Sequence, residues 1–111
     1  MKIQPIKSNN NKSIYFKNHE NIDETIFYEN TITIFENNKQ FKHIKDITGP
    51  SEDISVWELN NNEISLINDL DYGFSIQFNN PIIADEIISI LDVRTTEIYF
   101  NEIKKTKAIK I

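Results

Sequence analysis

Cysteine is absent from this 111-residue chain. That excludes disulfide bonds, thiolate zinc sites and a cysteine nucleophile. Glycine occurs only as Gly49 and Gly73, so no glycine-rich loop can wrap a phosphate. Histidine occurs only as His19 and His43, which fall in no HxH or HxxxH spacing. Both read as surface or edge residues, and no metal or cofactor is expected. No apolar run approaches the roughly 20 residues that cross a bilayer. Met1–Lys7 lacks the apolar stretch of a signal peptide. A cytoplasmic protein without a membrane partner is the simplest expectation.

What is present suffices for a core. Hydrophobic residues make up 39% of the chain and aromatics 11%, so a single globular domain over residues 1–111 is expected. Ile (22), Asn (15) and Lys (11) supply 48 of the 111 residues. All three have A/T-rich codons, which suggests an A/T-rich bacterial or phage genome. Short motifs built from these residues therefore carry little weight.

The net charge of −5 hides an uneven distribution. Residues 1–45 hold seven lysines against five acids, a net +2. Residues 46–102 hold twelve acids and one base, Arg94, a net −11. Residues 103–111 add four lysines and no acid. Like charges at this density repel one another in the folded chain. They either solvate exposed faces, with the lysine-rich ends folding back to neutralise them, or form a face that steers a basic partner inward.

Strand signals dominate the chain. Thr25–Tyr28 and Thr31–Phe35 are rich in β-branched and aromatic residues and read as strands. Phe41 to Ile47 reads as another, with imperfect alternation because Phe41 and Ile44 would face opposite sides. Ile54–Leu59 and Glu63–Ile67 flank Asn60-Asn61-Asn62 as a hairpin, since asparagine tolerates left-handed turn geometry. Gly73–Phe78 alternates cleanly. Thr95–Phe100 and Thr106–Ile111 read as later strands. Ser8–Lys12 is linker-like but too short and too early to divide domains. One helix is expected over about residues 81–91, with Asn80 as N-cap, Pro81 in the first turn and apolar residues at helical spacing. The pattern predicts an α+β fold: a predominantly antiparallel sheet of about six to eight strands with this one helix packed on it. A small β-sandwich or partly open barrel is the alternative.

Candidate chemistry is sparse. Asp69-Leu70-Asp71-Tyr72-Gly73 faintly resembles a calcium loop, but Gly73 and Asn80 stand where acidic ligands are required, so a strand-connecting turn is expected. Glu102-Ile103-Lys104 matches half of a metal-dependent nuclease site without the basic phosphate path such a site needs. A Ser-His-Asp triad could assemble only through folding. The acidic body argues against direct nucleic-acid binding. Trp57 shares a strand face with Ser55 and Leu59, and reads as a core residue or, alternatively, as a docking anchor. Tyr72, in a turn between Asp71 and Gly73, is expected to be exposed.

These features together lead to a non-enzymatic binding protein that neutralises a basic protein partner. Its most concrete form is an immunity protein that inhibits a basic bacterial toxin such as a nuclease, its carboxylates replacing the phosphates the toxin would hold. The expected partner-binding residues are Glu52, Asp53, Glu58, Glu63, Asp69, Asp71 and Tyr72, with Trp57 as the anchor. The alternative is a structural or accessory subunit, phage-derived in one form, whose acids only solvate it. A small enzyme working through carboxylates alone is a third reading.

Overall fold

A computed structural model describes residues 4–18 and 21–91. Six strands form one antiparallel sheet: β1 (Pro5–Lys7), β2 (Ser13–Phe16), β3 (Phe41–Thr48), β4 (Glu52–Leu59), β5 (Asn62–Asp69) and β6 (Gly73–Phe78). Their order is β1-β2-β6-β5-β4-β3, and the sheet is open. Two helical elements accompany the sheet among the described residues. Helix α1 spans Glu24–Glu36. Helix α2 covers residues 84–91, entered through a 3-10 turn at Pro81–Ile83. This is the α+β class the sequence implied.

The β3–β6 meander follows from its turns. Asn60 and Asn61 both have positive φ, 51° and 66°. That pair suits a two-residue hairpin whose twist matches its strands. Gly73 has φ of +79°, and the Cβ of any other residue there would lie 2.6 Å from a carboxylate oxygen of Glu24. In β3 the register shifts between His43 and Lys45. The extra residue is a β-bulge at Ile44, which accounts for the imperfect alternation of this strand.

The strand reading of Thr25–Tyr28 and Thr31–Phe35 is corrected: both lie in α1. Asp23 caps the helix by accepting from the Thr25 backbone N–H. The buried residues Phe27, Thr31, Ile34 and Phe35 keep helical spacing. A strand would place Phe27 and Ile34 on opposite faces. Local β propensity yields because the sheet needs a cover for its apolar face. The helix also has the right reach. Thirteen residues rise about 20 Å, and four strand spacings from β2 to β3 span about 19 Å. The Ser8–Lys12 stretch is the turn of a β1–β2 hairpin, with Asn11 at φ 56°.

The second helix begins as read. The Asn80 side chain accepts from the Ile82 N–H at 3.1 Å, and Pro81 follows it. Ile83, Ala84, Ile87 and Leu91 join one core with Phe27, Phe35, Trp57, Leu66 and Ile76. Both helices therefore lie on the same side of the sheet. None of the described helices is long and apolar enough to cross a membrane. The strand readings at Thr95–Phe100 and Thr106–Ile111, the Glu102-Ile103-Lys104 motif, the lysine-rich terminus and His19 fall outside the described residues.

Candidate functional site

Pleat and register sort the expected docking residues into separate places. Along β4, Ser55, Trp57 and Leu59 point into the helix-covered core, so Glu52, Ile54, Val56 and Glu58 point to the opposite face. On β5, Ile64 and Leu66 are core residues, which turns Glu63, Ser65, Ile67 and Asp69 to that same opposite face. Asp53 lies on the helix side. Asp71 and Tyr72 lie in the β5–β6 turn.

Trp57 leaves the docking set. It is 3% exposed, packs edge-on to Phe35 and belongs to the core. The face it shares with Leu59 is the one the helices cover. Its indole Nε1–H donates to Ser55 Oγ at 2.7 Å, and Ser55 Oγ donates to Asp46 Oδ1 at 2.8 Å. His43 Nε2 meets the same Asp46 oxygen at 2.8 Å. In a regular strand residues 43 and 46 would face opposite sides; the bulge at Ile44 turns them to one side. Hydrogen bonds from His43 and Ser55 hold the Asp46 carboxyl below its ordinary range. Nearby, burial together with the charges of Asp53 and Asp46 pushes the Tyr28 hydroxyl above its ordinary range.

This chain of groups contains Ser, Asp and His but not in the order a nucleophile needs. Asp46 sits between Ser55 and His43, so no imidazole takes the Ser55 proton. Ser55 is 1% exposed, which also closes it to a substrate. The adjoining cavity, about 170 Å³, is bounded by Ile32, Glu36 and these four residues. Among the described residues no group of three His, Asp or Glu side chains is placed to hold a metal ion.

The densest acidic region is the end of the sheet where β4 begins and β5 ends. Glu52 and Asp69 are direct cross-strand neighbours there, a like-charge pairing that costs stability. The connecting turn is braced from within. Asp69 Oδ1 accepts from the Asp71 N–H at 2.8 Å and the Tyr72 N–H at 3.1 Å. That bracing presents Leu70, 80% exposed, and Tyr72, 90% exposed. A cleft of about 350 Å³ beside the turn brings in Asp23 and Glu24 from the start of α1. Glu24 Oε1 accepts from the Phe74 N–H at 2.9 Å, which ties the helix start to β6. A smaller depression on the other flank adds Glu52 and Asp53.

Glu58 and Glu63 are not at this end. They oppose each other beside the Asn60–Asn61 turn, six residues along β4 from Glu52. That is about 20 Å away. Lys42 of β3 stands across from Glu58. Among the described residues, an ion pair from Lys7 Nζ to Asp85 Oδ1 at 2.8 Å links the lysine-bearing start of the chain to the acidic segment.

Reading the sequence missed three members of the acidic end: Asp23, Glu24 and Leu70. The first two look like ordinary helix-capping residues once α1 is recognised. Only the folding of α1 over β6 brings them beside the turn. Comparison with protein-family models, with curated proteins and with solved structures found no match to this chain.

Proposed function

We propose that this chain is a non-enzymatic protein-binding domain, an immunity protein that neutralises a basic bacterial toxin such as a nuclease. The braced Asp69 turn carries this reading. It holds an aliphatic and an aromatic side chain out in solvent, framed by Asp23, Glu24, Glu52, Asp53, Asp69 and Asp71. A rigid turn loses little entropy on docking. Tyr72 and Leu70 supply the apolar centre that a charge-steered complex needs in order to persist. The carboxylates occupy the positions where a nuclease would otherwise hold phosphates.

The test is co-expression with the product of whichever open reading frame adjoins this chain's gene and, alongside it, with a set of basic nuclease toxin domains. Growth protection is expected, and association is expected to slow about tenfold in the Glu52→Lys/Asp71→Lys double variant. Absence of protection refutes the reading. An unchanged association rate removes the acidic end as its docking face.

Exposed Ile44 and Ile47 on the edge strand β3 favour a second reading, a structural or accessory subunit that self-associates through its sheet. Lys42, Lys45 and the bulge oppose such pairing. Size exclusion across salt concentrations separates the two, since an obligate homomer persists at high salt.

A further inference from the structure

The cavity beside Trp57 lies between the end of α1 and the β3–β4 edge. Trp57 and Ser55, both buried, and Ile32 of α1 form its inner walls. Its mouth is polar and open: the His43 and Asp46 side chains are 45% and 64% exposed, and Glu36 of α1 is exposed as well. At about 170 Å³ it holds about five waters at ~30 Å³ each. Pockets for drug-sized ligands run to roughly 300–1,000 Å³, so this one suits a single side chain.

Charge decides which side chain. Asp46 Oδ1 accepts from both His43 and Ser55, and among the described residues no donor reaches Asp46 Oδ2. Glu36 forms no ion pair among them. It also stands in the last turn of α1, which holds no basic residue, so the negative end of the helix dipole adds to its charge. Asp53 lies two residues along β4 from Ser55 on the same side, about 7 Å away. Burial and the charges of Asp53 and Asp46 together push up the Tyr28 hydroxyl on α1, which marks the field here as negative.

The neighbouring bases leave that field standing. Lys42 and Lys45 pair in register with Glu58 and Val56, so they point to the other side of the sheet. Lys39, in the turn after α1, makes no ion pair with Glu36 or Asp46. His43 is the basic group of the cavity wall, and its Nε2 is committed to Asp46 Oδ1. The His43 ring lies 4.8 Å from the Trp57 ring at a tilt of 51° and keeps part of its surface in solvent. A guanidinium stacks on such a ring and donates to two carboxylates from one planar fork. An ammonium is a more strongly hydrated point charge and gains less.

We propose that this cavity receives the guanidinium of an arginine side chain, held between Glu36 and Asp46 against the His43 ring. The arginine belongs to the basic partner, so this anchor rests on the reading of a basic protein partner. Asp53 joins the cavity to the acidic end, and the Leu70–Tyr72 turn and the arginine are two contacts of one interface.

The probes are N-acetyl-arginine amide and its neutral isostere N-acetyl-citrulline amide, titrated into the whole chain at neutral pH and constant ionic strength. Trp57, the only tryptophan, reports through its fluorescence and its indole N–H shift. Saturable binding of the arginine amide is expected, about tenfold or more tighter than the citrulline amide, with shifts concentrated at His43, Asp46, Ser55 and Trp57. Glu36→Gln, an exposed change, should weaken it about fivefold. Glu58→Gln removes the same charge from the other side of the sheet and should leave the affinity unchanged.

Equal binding of the two probes overturns the proposal, as does the absence of saturable binding. Equal weakening by Glu36→Gln and Glu58→Gln also overturns it, since attraction to the net charge of the chain would then be the whole effect. Growth protection reads the partner independently. Protection by a chain that binds no arginine amide excludes the cavity and leaves the basic-partner reading standing. Arginine binding by a chain that protects against no toxin supports the cavity and refutes the toxin-inhibitor reading.

Discussion

Gly73 shows how a single residue joins the two layers of the molecule. Its φ of +79° favours glycine, and the space a Cβ would fill is taken by the Glu24 carboxylate. Gly73→Ala must strain the backbone and push Glu24 off the Phe74 N–H. A loss of about 1–2 kcal/mol is expected from the backbone alone, read as a lower urea midpoint. Asp46 makes a different prediction. Its folded-state pKa is depressed by His43 and Ser55. Its stabilising contribution is therefore present above the ordinary carboxylate range and is lost as pH falls through that range and below. The side chain is largely exposed, so the effect is small. The difference in urea midpoint between the native chain and Asp46→Asn should narrow between about pH 5 and pH 2.5. A constant difference would mean that the charge of Asp46 contributes nothing.

At the scale of elements, the second helix and the meander were legible because their signals are local. Asn80 followed by Pro81 marks a helix start, and the Asn60-Asn61-Asn62 run marks a hairpin loop, which the fold narrows to a two-residue turn at Asn60 and Asn61 because Asn62 joins β5. Asn80→Ala should cost about 1 kcal/mol through loss of the bond to the Ile82 N–H. Asn80→Ser should restore most of it, and equal melting temperatures for the native and alanine chains would refute the cap. Helix α1 was not legible from composition. Its Ile, Thr, Phe and Tyr content speaks for a strand, and two threonines return hydrogen bonds to the carbonyls of Phe27 and Glu29 inside the helix. The spacing of Phe27, Thr31, Ile34 and Phe35 was the available signal. It outweighs propensity because burying four side chains against a sheet is worth more than the few tenths of a kcal/mol per residue that separate helix formers.

At the scale of the whole molecule, the proposed function makes a kinetic prediction. Steering by the acidic end should fade as salt shortens the screening length from about 30 Å at 0.01 M to about 8 Å at 0.15 M. Association should slow accordingly. Dissociation should depend instead on the exposed turn residues: Tyr72→Ala is expected to speed it about tenfold or more while leaving association almost unchanged. Surface-captured kinetics with the toxin domain against which the chain protects would check both. If Tyr72→Ala dissociates at the native rate, the turn does not anchor the partner.

The amino-acid sequence by itself determined the class of fold, the hairpin around Asn60-Asn61-Asn62, the start of the second helix and the concentration of acid in residues 46–102. Each rests on short-range patterning: turn geometry, capping, strand alternation and composition. Tertiary structure alone decided which of those acids meet. Alternation along β4 places Asp53 and Glu52 on opposite faces, and pairing with β5 sets Glu52 against Asp69 but keeps Glu58 about 20 Å from Glu52. It also buried Trp57, because the helices had to cover one face of the sheet and that face was the tryptophan's. The conversion of residues 24–36 from apparent strand to helix belongs with these. Its cause is a long-range demand, the need to cross from β2 to β3 while covering the sheet between them.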